Sequence, residues 1–134
     1  CAIGKVTEET KFFQNSKINQ QNSLIRQNPN QKEVKIKCYE LNDILTFNKI
    51  EKVDYINIDT EGTELDVLKG LNFKKIKPSL FTIEDNHFDL DSDSKKEKIN
   101  YMKNQGYALI NNIGVTMFFF KEEEIKQISN LIKI

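Results

Sequence analysis

The sequence predicts an α/β fold, an open and mostly parallel sheet with an antiparallel hairpin at one edge. Three observations carry that reading. Strand-like and helix-like segments alternate from Glu33 onward. Two apolar runs, residues 53–59 and 80–83, each end in carboxylates, Asp59 in one and Glu84-Asp85 after the other. Near the carboxyl end, two further apolar runs flank a polar turn containing Asn111, Asn112 and Gly114, as a hairpin requires.

Taken in order, residues 10–13 form a short β-branched and aromatic run with strand character. Residues 14–32 are rich in Asn, Gln and Ser, with Pro29 near the end, and read as a polar surface loop within the domain. Residues 33–39 alternate cleanly: Val34, Ile36 and Cys38 share one face, and Lys35, Lys37 and Tyr39 the other, marking a half-buried strand. A short helix follows over residues 42–47, with Asn42 or Asp43 expected as its cap. Residues 53–59 carry apolar side chains on both faces, as in a central strand covered from both sides. The next helix places Leu65, Leu68 and Leu71 at helical spacing, with Thr60 as the expected cap and Gly70 as a left-handed stop. After strand 80–83, Ser94 and Glu97 form a capping-box pair opening a helix that closes at Gly106. Lys95, Lys96 and Lys98 read as its wet face. Ile125, Ile128 and Ile132 predict a final amphipathic helix.

Length and composition narrow the function. A chain of 134 residues has room for one domain. Twenty basic residues balance twenty acidic ones, and Arg26 is the only arginine. Neither a global field nor a set of bidentate guanidinium donors favours nucleic acid. No apolar run approaches the roughly 20 residues of a membrane-spanning helix. Two cysteines are a weak disulfide signal, so free thiols and a cytoplasmic setting are expected. The opening Cys1-Ala2-Ile3-Gly4 lacks an initiator methionine. A lipid-bearing mature cysteine is one explanation, and a larger protein read from its middle is the other. Ala2-Ile3 before Gly4 has the look of a buried strand's last step, which favours the second.

In open α/β sheets, ligands bind beyond the carboxyl ends of the strands. Asp59 and Glu84 end successive strands, so both are expected to face one crevice. Residues 53–70, running Val-Asp-Tyr-Ile-Asn-Ile-Asp-Thr-Glu-Gly-Thr-Glu-Leu-Asp-Val-Leu-Lys-Gly, resemble the signature of FkbM-type S-adenosylmethionine-dependent methyltransferases. The resemblance covers nearly the whole chain. Ala2-Ile3-Gly4 looks like the end of the third strand of a class I, Rossmann-like methyltransferase sheet, and Asn22-Ser23-Leu24 resembles a serine-leucine element of a variable loop. It implies the carboxyl-terminal portion of such a domain, missing its first strands. It also implies S-adenosylmethionine as cofactor, with Ala2, Ile3 and Asp59 beside it, and O-methyl transfer to a hydroxyl of a sugar, glycan or small metabolite. The five glycines include no Gly-x-Gly, so the glycine-rich cofactor turn of such enzymes is missing from this stretch, and the fragment alone is expected to be inactive.

For catalysis, Asp59 is the first candidate to orient or deprotonate the acceptor hydroxyl. Glu61 shares the turn, although Glu61 and Glu64 equally suit the first turn of a helix, where free N–H groups favour carboxylates. Gly62 is expected to meet a backbone requirement. Glu84 and His87, three residues apart, are expected to form an acid–base pair. No metal is required by the motif. The competing expectation is a non-catalytic module, oligomeric or paired with another chain through an open sheet edge.

Overall fold

The computed structural model describes residues 1–15 and 22–132. The element order is β1 (Ala2–Gly4), β2 (Glu8–Gln14), β3 (Lys32–Glu40), α1 (Leu41–Phe47), β4 (Tyr55–Ile58), α2 (Glu64–Lys69), β5 (Leu80–Glu84), α3 (Asp93–Asn104), β6 (Tyr107–Ile113), β7 (Thr116–Lys121) and α4 (Glu122–Ile132). These elements gather into two compact units, residues 1–51 with 59–75, and residues 52–58 with 76–134. The protein is thus a mixed α/β structure with two small sheets, where the element order predicted one mostly parallel sheet. Two strand pairings are parallel (β1 with β3, β4 with β5) and three antiparallel (β2 with β3, β5 with β7, β6 with β7).

The first unit carries the sheet β1-β3-β2. β3 keeps the alternation read from its sequence: Cys38 is buried while Lys35 and Lys37 face water. Of the polar loop, Gln14 belongs to β2, Ser23 bridges back to Phe13, and residues 16–21 lie outside the described residues. α1 begins at Leu41, earlier than expected, and neither Asn42 nor Asp43 caps it. The Asp43 carboxylate instead accepts from Thr7 Oγ1 at 2.6 Å, and the Asn42 N–H donates to the Gly70 carbonyl at 3.0 Å. Gly70 is also not a left-handed stop, since its φ is −81°. Its missing side chain serves close packing: a Cβ there would lie 2.3 Å from the Gly4 carbonyl oxygen. The backbone of α2's end and that of β1 touch because neither position carries a side chain in the way.

The second unit carries the sheet β4-β5-β7-β6, with the β6–β7 hairpin at one edge as expected. Phe81, Ile83, Met117 and Phe119 are fully buried on β5 and β7. Tyr107 meets Phe81 edge to face, with ring centroids 5.1 Å apart, and donates its hydroxyl to the Pro78 carbonyl at 2.7 Å. β4 is an edge strand of this sheet, not a central one, and it is covered on one face only: Ile58 is buried, while Tyr55 and Asn57 on the other face are exposed. The α3 cap is Ser92, whose side chain accepts from the Lys95 N–H, not Ser94. The lysines of α3 are likewise not a wet face. Of the three expected there, Lys95 and Lys98 are buried and Lys96 is exposed. Lys95 Nζ reaches Asn112 Oδ1 at 3.0 Å and the Gly114 carbonyl at 3.3 Å, tying α3 to the hairpin turn. On α4, Ile125 is partly covered and Ile128 is half exposed, while the Ile132 side chain lies outside the description. Among the described residues no helix is long and apolar enough to cross a membrane.

Candidate active site

The acidic turn belongs to the first unit. After Ile58 the chain must reverse into α2, and it does so through two successive residues with positive φ, Glu61 at 57° and Gly62 at 107°. Glycine adopts that conformation without steric cost; a non-glycine residue there costs about 1–2 kcal/mol. The surrounding hydrogen bonds hold it. Glu64 Oε1 accepts from Gly62 N at 2.8 Å and from both the N–H and the hydroxyl of Thr60 at 3.2 Å. Glu64 is buried and clamps the turn from within. The α2 cap is Thr63, not Thr60, and no side chain caps the helix. From outside, Ser23 Oγ donates to the Glu61 carbonyl at 3.0 Å, and Gln27 Nε2 donates to the same oxygen at 3.3 Å. Ser23 is itself buried.

Asp59 is the exception among these carboxylates. It is exposed, and among the described residues its side chain makes no hydrogen bond or ion pair. It borders a cavity of about 200 Å³ together with Ala2, Ile3, Asn22, Ser23 and Thr63. The three residues that the sequence set beside a cofactor therefore line one cavity. Glu61 contributes its carbonyl to the turn's framework, and its side chain is partly exposed.

Glu84 and His87 belong to the second unit. β4 and β5 run parallel with Ile58 opposite Ile83, so both strands end on the same edge of that sheet. Glu84 is the last residue of β5 and is partly buried. The carboxylate that meets His87 is Asp85 and not the expected Glu84: His87 Nδ1 lies 2.6 Å from Asp85 Oδ1, which also accepts from the His87 N–H at 2.9 Å. The other oxygen, Asp85 Oδ2, accepts from Lys98 Nζ and from Ser94 Oγ, both at 2.6 Å. Lys98 Nζ and Ser94 Oγ are 2.8 Å apart. Burial acts to raise the Asp85 pKa, but the donors from Lys98, Ser94 and His87 outweigh it and hold the carboxyl well below its ordinary range. Among the described residues no group of three His, Cys, Asp or Glu side chains is arranged to hold a metal ion.

Ser23, Gln27, Asp85, Ser94 and Lys98 are not among the expected site residues: the sequence reads Ser23 only within the serine-leucine element, Ser94 as a cap and Lys98 as part of a wet face. Only the last two leave a local signal: four residues apart on a helix, they share a face.

A family model described as the methyltransferase FkbM domain matches residues 2–109, from β1 into β6. The chain belongs to the FkbM methyltransferase family. Its match includes the acidic turn, the Asp59 cavity and the Asp85–Lys98 network, and it stops before β7 and α4. Neither a curated protein nor a solved structure gives a match. FkbM membership makes methyl transfer the chemistry against which these two groups of side chains are to be judged.

Proposed function

We propose that this chain takes part in S-adenosylmethionine-dependent O-methyl transfer to a hydroxyl of a sugar, glycan or other small metabolite, as part of a longer protein. The observation that carries the reading is the unpaired Asp59 carboxylate on the same small cavity as Ala2 and Ile3. A neighbouring carboxylate, Glu64, is consumed in holding the turn, which leaves Asp59 available for a ligand. S-adenosylmethionine, when bound, supplies a methyl group on a cationic sulfonium. A carboxylate favours that charge, or orients a hydroxyl for in-line attack. Glu61, Glu84 and His87 remain candidates for contacts with the acceptor.

The residues present fit part of such a cofactor. Sites for ligands of that size usually enclose about 300–1,000 Å³, and this cavity offers about 200 Å³. On this reading the remainder of the site, including the glycine-rich turn, is supplied by other parts of a longer, Rossmann-like protein. Two cysteines that form no disulfide suit a cytoplasmic setting.

Calorimetry tests this directly, using the gene product with any residues encoded before Cys1. S-adenosylmethionine and S-adenosylhomocysteine should both bind, and Asp59→Asn should lower kcat/KM for methyl transfer at least about tenfold. Absence of binding to that protein sinks the proposal.

A further inference from the structure

Hydroxyl acceptors differ in what surrounds the hydroxyl, and the first unit contains one unspent donor able to choose among them. We infer that Asn22 binds the acceptor: its side-chain NH2 donates to a hydroxyl oxygen of an uncharged polyol, while Asp59 accepts a hydroxyl proton of the same molecule. This rests on the methyl-transfer reading above and adds the substrate class and a second residue that recognises it.

Every residue lining the Asp59 cavity lies in the first unit. Ala2, Ile3, Phe12 and Leu24 give it apolar walls. A hydroxyl has a single proton to donate. Ser23 gives its proton to the Glu61 carbonyl at 3.0 Å, Thr60 to Glu64 Oε1 at 3.2 Å and Thr63 to the Thr60 carbonyl at 3.4 Å. All three hydroxyls on the lining are therefore spent on the turn. Asn22 is different. Its Oδ1 accepts from the Asn15 N–H at 2.8 Å, and a backbone N–H can only donate, so the amide oxygen is fixed there and the nitrogen is the other end. Among the described residues that NH2 group makes no hydrogen bond. The next residue is pinned, since Ser23 N and O pair with Phe13 at 3.2 and 2.9 Å. The cavity thus carries one strong acceptor, Asp59, and one two-proton donor, Asn22, beside the weakly donating Cys1 thiol.

A hydroxyl both donates and accepts at one oxygen, so a polyol satisfies Asp59 and Asn22 with one hydroxyl or with two neighbouring ones. Among the described residues Asp59 has the only charged side chain on the lining. A carboxylate or phosphate on the ligand would meet that like charge with no cation to balance it, which selects against acidic and phosphorylated acceptors. The apolar walls suit the C–H face of a sugar ring.

A structural role accounts for half of Asn22. Its Oδ1 ties the polar segment back to Asn15, a task an aspartate would perform equally well, and the NH2 group adds nothing to the fold.

Asn22→Asp separates the two roles, because the carboxylate keeps the bond from Asn15 and loses the donor. The protein to use is the nitrogen-labelled gene product with any residues encoded before Cys1. The NH2 signals of Asn22 are those missing from the spectrum of Asn22→Asp. Methyl glycosides of glucose, galactose, mannose and ribose are the neutral probes, with methyl glucuronoside and a phosphorylated methyl glucoside as charged counterparts. At least one neutral glycoside should shift the Asn22 signals and bind about tenfold more weakly to Asn22→Asp and to Asp59→Asn. The charged probes should bind the unaltered protein at least about tenfold more weakly than the neutral one. Unchanged affinity in Asn22→Asp, no response to any neutral probe, or equal binding of a charged probe overturns the inference. If Asn22→Asp weakens S-adenosylhomocysteine about tenfold, the donor belongs to the cofactor and the acceptor assignment falls. These titrations need no turnover, so failure of the unaltered protein to bind S-adenosylmethionine is a separate result, which removes the methyl-transfer reading.

Discussion

Replacing Lys98 by methionine isolates the buried pair that organises the second unit. Methionine keeps the length and apolar stem of lysine, so packing around α3 is nearly conserved while the ammonium is lost. Asp85, 2% exposed, then keeps its bonds from Ser94 Oγ at 2.6 Å and from His87, but lacks its only buried cation. Removing one partner of a buried pair costs about 3–5 kcal/mol. The surviving donors offset part of that, so the expected loss is about 3 kcal/mol, or roughly 10 °C in Tm for a chain of this size. Urea unfolding at neutral pH, followed by far-UV circular dichroism, measures it. Asp85→Asn with Lys98→Met should recover at least about 1 kcal/mol relative to Lys98→Met alone, because no isolated charge is left behind. A Lys98→Met variant within about 1 kcal/mol of the unaltered protein would refute the reasoning, since it would mean that the charge finds water after all.

Three further outcomes follow from particular contacts. Glycine to alanine near a helix end usually stabilises by about 0.4–1 kcal/mol, but Gly70→Ala should destabilise by about 1–3 kcal/mol, because the added Cβ would sit 2.3 Å from the Gly4 carbonyl oxygen; thermal unfolding decides the sign. Glu64→Ala strands the donors of Thr60 and Gly62 and should cost about 2–3 kcal/mol, whereas Glu64→Gln retains an acceptor oxygen and should cost less; paired chemical denaturation curves make the comparison. As for pH, the Asp85 carboxyl is held below its ordinary value, so the unfolded chain binds more protons in the acid range and stability rises with pH there. The contribution is complete above the ordinary carboxylate pKa of about 4 and fades as pH falls toward the lowered native value. Lys98→Met should flatten that acid limb in a pH series of unfolding midpoints.

Much of the local structure was legible because it depends on neighbours in sequence. The period of two in β3, the hairpin with its Gly114 turn, the close of α3 before Gly106 and the need for glycine at position 62 all follow from backbone sterics and side-chain periodicity. The acidic motif and its family were legible for the same reason, since the residues lie in one continuous stretch. Caps were less so. Ser92 and Ser94 are equally good candidates in isolation, and the choice went to Ser92 because Ser94 has a distant carboxylate to bond.

What distance along the chain conceals is which carboxylates are spent and which are available. Asp59, Glu61, Glu64, Glu84 and Asp85 are alike as letters. Glu64 turns inward to hold three donors, Asp85 is paired with a lysine thirteen positions away, and Asp59 keeps an open carboxylate on a cavity with Ala2 and Ile3. The burial of Lys95 and Lys98 was equally hidden, because a lysine-rich helix face looks solvated until a partner from another element neutralises it. Periodicity and backbone sterics act over a few residues and can be read in order. Charge pairing and desolvation are settled by whatever the folded chain brings within about 3 Å, and no window of sequence contains that.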